Sequence, residues 1–266
     1  MRKATILGAI AGDIIGSVYE FHSTRNYNFE LFNNSMKPTD DTIMTLAVAD
    51  WLLHDLNLSE SELAKTMRKW GNKYPWAGYG GGFRAWLNNA NAGPYNSWGN
   101  GSAMRVSPVG FAFNTMEKTL RVAKKTAAVT HNHPEGIKGA QATAAAIYLA
   151  RTGNSKEEIK KYITDTFGYD LNRQCVYIRL HYHFEISCQE TVPQSICAFI
   201  DSNDYESAIR ETISLGGDAD TMGAITGGIA SAFYKEIPDN IHEFALSKLD
   251  EEMKATLHEF ENRYTY

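Results

Sequence analysis

The chain has 266 residues, 43% of them hydrophobic, enough for a sizeable buried core, and no Pro/Ser/Gly-rich linker divides it, so one domain over 1–266 is expected. A net charge of −5, from 26 basic and 31 acidic residues, argues against nucleic acid as the main partner. Cys175, Cys188 and Cys197 form no Cys-x-x-Cys pair and suit a reducing cytoplasm, and no span approaches the roughly 20 apolar residues of a membrane helix, so a soluble cytoplasmic protein without a membrane partner is expected.

Arg2 and Lys3 precede an apolar run that imitates a signal peptide until Asp13 interrupts it. Gly8, Gly12 and Gly16 fall four apart and leave one face of this first helix without side chains. Asp13, amid Ile and Gly, reads as a buried, hydrogen-bonded structural carboxylate. Next comes Thr39-Asp40-Asp41-Thr42, opening a helix over 40–54, and Ser59-Glu60-Ser61-Glu62, a capping box for 59–72. From Tyr74 to Gly110 the chain is rich in Gly, Asn and aromatics, and Trp51, Trp70, Trp76 and Trp86 read as packing residues.

Helical patterns resume over 116–129, 134–151 and 155–167. Pro134 fits a first-turn position with His133 at the helix entry, and Ser155-Lys156-Glu157-Glu158 is a second capping box. Residues 176–186 differ: Val176, Ile178, Leu180, Tyr182, Phe184 and Ile186 alternate with polar or aromatic neighbours, which predicts an extended segment or short strand. His181 and His183 would share one of its faces, with surface or interface roles. Helices are predicted over 204–215, 220–235 and 240–262. Gly223 and Gly227 repeat the four-residue spacing, so the first helix and the 220–235 helix are expected to approach backbone to backbone.

Asp218-Ala219-Asp220-Thr221 opens the 220–235 helix as Thr39-Asp40-Asp41-Thr42 opens the 40–54 helix. Either cluster alone would serve as an N-cap with Asp in a favourable first turn. Together they offer four carboxylates and several hydroxyls, a hard oxygen set suited to Mg²⁺ or Mn²⁺. Without cations their repulsion would raise the pKa values of some of them. The second cluster is no EF-hand, because Met222 and Ile229 would fall at ligand positions. His-Glu-x-x-His, P-loop and Gly-x-Gly-x-x-Gly motifs are absent from the chain. The loop Asn96-Ser97-Trp98-Gly99-Asn100-Gly101-Ser102 could bring backbone N–H groups close to an anion, although such a loop is more often only a turn.

These residues resemble the ADP-ribosylglycohydrolases. The resemblance rests on Gly8 to Asp13 with Gly16 to Glu20, on Thr39 to Thr42, on Gly99 to Arg105, on Thr130-His131 and on Gly216 to Thr221, in family order over almost the whole chain. It implies an all-α orthogonal helical bundle that holds two Mg²⁺ or Mn²⁺ ions and cleaves a glycosidic bond to ADP-ribose. It further implies Thr39, Asp40, Asp41, Asp218, Asp220 and Thr221 as metal ligands, with Glu20 and Asp41 as the catalytic candidates. Asn96, Ser97, Trp98, Gly99 and Asn100 match the loop that cradles the diphosphate, and His131 matches a residue near the distal ribose. One departure is plain: members acting on ADP-ribosyl-arginine carry an acidic residue in the loop equivalent to 78–90, and here Gly78 to Asn89 contains none. A non-catalytic ADP-ribose-binding protein and a dimetal nucleotide phosphohydrolase are the alternatives.

Overall fold

The computed structural model describes residues 5–264, so Arg2 and Lys3 lie outside the described residues. Among these there are fifteen helices and no strand, which is the all-α class read from the sequence. The chain runs through α1 (Leu7–Gly16), α2 (Asp40–His54), α3 (Glu60–Lys73), α4 (Gly81–Leu87), α5 (Gly101–Met104), α6 (Ser107–Ala112), α7 (Met116–Ala128) and α8 (Pro134–Arg151). It continues through α9 (Lys156–Phe167), α10 (Cys175–His181), α11 (Cys188–Asp201), α12 (Tyr205–Ile213), α13 (Ala219–Tyr234), α14 (Asp239–Lys248) and α15 (Glu251–Tyr264). Side-chain oxygens start several of them: Thr39 on α2, Ser59 on α3, Thr115 on α7, and Ser155 on α9 in a complete capping box with Glu158.

The centre of the molecule is the α1/α13 pair. Every residue of α1 is buried, so this helix has no solvent face to be polar. Its glycines explain how it lies there. A Cβ on Gly12 would collide with the Gly223 carbonyl, one on Gly16 with that of Ala219, and one on Gly227 with that of Gly8. The two backbones therefore touch, as the glycine spacing predicted, and both helices deliver their acid-bearing ends to the same place.

Two sequence expectations need correction. The 176–186 segment is not a strand: its first half is α10, where Cys175 and Ile178 are buried while Val176, Tyr177 and Leu180 are exposed. Burial follows a spacing of three rather than two, so the alternation carried no facing information. The N–H of Cys175 is held by the Asp201 carboxylate at 2.6 Å, and after His181 the chain runs irregularly to an isolated bridge between Gly99 and Ser187. The 240–262 helix is two helices. Asp250 divides them, accepting from the N–H of Met253 at 2.9 Å to begin α15 and from the Tyr74 hydroxyl at 2.8 Å. The helix α11 escaped prediction because Pro193 stands inside it, and α4 to α6 because they are short and embedded in glycine-rich sequence.

Candidate active site

Asp13, one turn before the end of α1, ties that helix to the start of α2. Its carboxylate accepts from the Thr39 N–H at 3.0 Å and hydroxyl at 2.6 Å, from the Thr42 N–H at 3.0 Å, and from the Thr42 hydroxyl. Thr39 gives its hydrogen to Asp13 and accepts from the N–H of Asp41 at 3.3 Å, which leaves a lone pair on Oγ1. The α13 end answers from the other side. Gly216, at φ +76, turns the chain into Asp218, and Asp220 accepts from the N–H of Thr221 at 3.0 Å. The Thr221 hydroxyl reaches Asp41 Oδ2 at 3.3 Å, and the Asn100 amide donates to Asp218 Oδ2 at 2.7 Å.

The two clusters thus meet. Carboxylate oxygens of Asp13, Asp41 and Asp220 lie within 4.8 Å of one another, as do those of Glu20, Asp218 and Asp220, so Asp220 belongs to both groups. Asp40 faces the same cleft, and the partners named for all of these acids are hydroxyls, amides and one another. Burial, with repulsion from neighbouring acids, pushes Glu20 up to about 7 and Asp40 to about 8, and Asp41 and Asp220 well above the ordinary carboxylate range. Burial alone raises Asp13 to about 6, against the hydrogen bonds from Thr39 and Thr42, and it raises Asp218 too.

Asp41 Oδ1 is buried with no hydrogen-bond partner. A carboxylate oxygen in that state loses its hydration for nothing, unless a cation takes its place. The donor set is entirely oxygen, from carboxylates and threonine hydroxyls, so the residues present fit a hard divalent cation better than a thiophilic one.

The acids line a cleft of about 300 Å³ together with the loop before and into α5, which joins them where Asn100 meets Asp218. Ser97, Gly99, Asn100 and His131, four of the candidate substrate-binding residues, line the cleft, and Asn100 has the added task of holding Asp218. Asn96 and Trp98 do not line the cleft. Asn96 adopts a left-handed conformation with its N–H on the Asn132 side chain, and the half-exposed Trp98 ring lies against His133. Thr39 is buried and does not line the cleft. Gly78 and Gly80 to Gly82 border the cleft, at the start of the acid-free 78–89 stretch, which is not wholly a loop as expected because Gly81–Leu87 forms α4. Sequence reasoning missed Phe83, Tyr95, Arg105 and Ile186, which also line it. Arg105 closes the Gly99 to Arg105 motif but was given no role there, and Phe83, Tyr95 and Ile186 carry no periodic or motif signal that would have found them.

The chain matches the ADP-ribosylglycohydrolase family model over residues 3–264. It is 26% identical to the human ADP-ribosylhydrolase ARH3, with 90% of this chain and 87% of that one aligned. It is 26% identical to the ADP-ribosyl-[dinitrogen reductase] glycohydrolase of Rhodospirillum rubrum, over 92% of this chain and 88% of that one. Among solved structures, an ADP-ribosylglycohydrolase-related protein complex shares the fold with a TM-score of 0.74 at 24% identity, covering 98% of this chain and 96% of that one. With acid-bearing helix ends meeting over one cleft and the family model spanning nearly every residue, the chain belongs to the ADP-ribosylglycohydrolases, hydrolases of glycosidic bonds.

Proposed function

We propose that this chain binds two Mg²⁺ or Mn²⁺ ions and hydrolyses the glycosidic bond between ADP-ribose and an acceptor other than arginine, releasing free ADP-ribose. The observation that carries the reading is the convergence of Glu20, Asp40, Asp41, Asp218 and Asp220 on one cleft that Ser97, Gly99, Asn100 and Gly101 also line, with Asp41 Oδ1 buried and unpartnered. Thr39, Asp40, Asp41, Asp218, Asp220 and Thr221 are the ligand set. When bound, the cations would supply Lewis-acid polarisation and a grip on vicinal ribose hydroxyls.

The chain's own residues do the rest. Asn100 fixes Asp218, and Asp13 fixes Thr39, so the oxygen donors are oriented before anything binds. Ser97 and His131 offer neutral donors to the diphosphate and ribose, and the Gly99 N–H holds the Ser97 hydroxyl in place. Glu20 stands on the loop after α1 rather than at a helix start, is half-buried while Asp41, Asp218 and Asp220 are buried, and so has access to an attacking water. It holds or accepts the proton as that water attacks an oxocarbenium-like centre. The acid-free stretch at Gly78 to Asn89 is what argues against an arginine-linked acceptor.

Product analysis tests this. Incubation with serine-, acyl- and arginine-linked ADP-ribose and with ADP-ribose 1″-phosphate should give free ADP-ribose from at least one of the non-arginine substrates, and chelation should abolish it. AMP as product, or phosphate from any substrate other than the 1″-phosphate, would point to a phosphohydrolase, absence of turnover to a binding protein, and turnover surviving exhaustive chelation would remove the dimetal reading.

A further inference from the structure

Arg105 follows α5, is fully buried, and lines the cleft, yet its named hydrogen bonds go to neutral oxygens. Nη2 donates to the Thr126 carbonyl at 2.8 Å and to Thr130 Oγ1 at 2.7 Å, while Nε and Nη1 have no hydrogen-bond partner. A guanidinium has only hydrogens to offer, so Thr130 Oγ1 must act as acceptor in that contact and its own hydrogen remains to be placed. Thr130 is itself fully buried, and 2.8 Å from Oγ1 lies Nδ1 of His131. If Nδ1 carried the ring proton, the Thr130 hydroxyl hydrogen would be sealed in the interior with nothing to receive it. The arrangement that satisfies every group has Thr130 donating to a bare Nδ1, which leaves the ring hydrogen on Nε2.

Nε2 is the ring atom that lies against the cleft-lining glycines Gly99 and Gly101. A Cβ built on Gly101 would lie 3.1 Å from it and one on Gly99 3.5 Å, so it sits at the turn where the anion loop enters α5. We infer that Arg105 and Thr130 are positioning residues that lock His131 in its Nε2–H tautomer, so that the cleft presents a fixed hydrogen-bond donor to an oxygen of the bound substrate. That donor's use rests on the proposed function; the lock itself does not. Burial and the nearby Arg105 charge both hold His131 well below its ordinary pKa, in keeping with a ring that carries a single hydrogen. An unlocked imidazole would offer a lone pair part of the time, which repels a phosphate or ribose oxygen.

The test is ¹⁵N spectroscopy of histidine-labelled protein at neutral pH, with His131 assigned by its loss in His131→Gln. The expected result is a pyridine-type Nδ1 and a pyrrole-type Nε2. A protonated Nδ1, or a shift averaged between tautomers, would overturn the proposal, and the reading is taken on the wild-type chain, the His131→Gln variant serving only for assignment. Thr130→Val should then give averaged shifts and bind ADP-ribose about tenfold more weakly, with Thr130→Ser restoring both. An Nε2–H ring unchanged in Thr130→Val would also overturn it. Should the wild-type chain fail to bind ADP-ribose, the proposed function falls, while the wild-type spectrum still decides the lock.

Discussion

Glu20 is the residue on which chemistry and mere charge separate. Glu20→Gln keeps size and hydrogen bonding but removes the base, so single-turnover hydrolysis should fall by roughly 10²–10⁴ while affinity for ADP-ribose changes little. A rate within a few-fold of wild type, with only a lowered melting temperature, would reduce Glu20 to a support for the end of α1. The ligand candidates were legible because cap, acid and hydroxyl stand side by side in Thr39 to Thr42 and Asp218 to Thr221, where the local chemistry of a helix start coincides with that of a cation site. Arg105 was not legible, since its role depends on Thr130 and His131, which the fold alone brings beneath it.

At the scale of elements, the α1/α13 contact was written in glycine spacing because a helix repeats on itself and a row of missing side chains must be filled by something. Gly12→Val would force a branched side chain into the Gly223 carbonyl, and overpacking against backbone should cost at least about 3 kcal/mol, read by denaturant unfolding. Gly93→Ala, where an added Cβ meets nothing within 4 Å, should stay within about 0.5 kcal/mol and serves as the control. Equal stability of the two variants would mean that the helices can part without consequence. The 176–186 segment failed as a strand for an instructive reason: Val176, Tyr177 and Leu180 are exposed, so their spacing records no buried face. Asp250 divides the last helical stretch through contacts with Met253 and with Tyr74, and the second of these is invisible in a linear reading.

For the molecule as a whole, the acid cluster sets how stability responds to pH and cations. Glu20 and Asp40 have ordinary values of 4.5 and 3.8 and rise to about 7 and about 8 in the fold. Between those limits the cation-free folded chain holds more protons than the unfolded one, so its stability falls as pH rises through the window. Cations bind the deprotonated acids, and their stabilising effect grows in the same direction. The rise in melting temperature on adding saturating Mg²⁺ should therefore be larger near pH 8 than near pH 5, and a shift independent of pH would contradict the coupling. No described helix is long and apolar enough to cross a membrane.

The seam between α1 and α13 also imposes an order in time. Thr221 reaches Asp41 across 180 residues, and the Tyr205 hydroxyl reaches Gly8 across 197. While a ribosome is still adding the middle of the chain, α1 has no partner for its glycine face and half of the oxygen donors do not yet exist. The buried core around α1 and the acid cluster therefore close together, in a late, long-range step that waits on loop closure over most of the chain. A growing chain that stops short of α13 would carry an exposed apolar helix and only half of the proposed oxygen donors, which makes this the interval in which it is most open to aggregation.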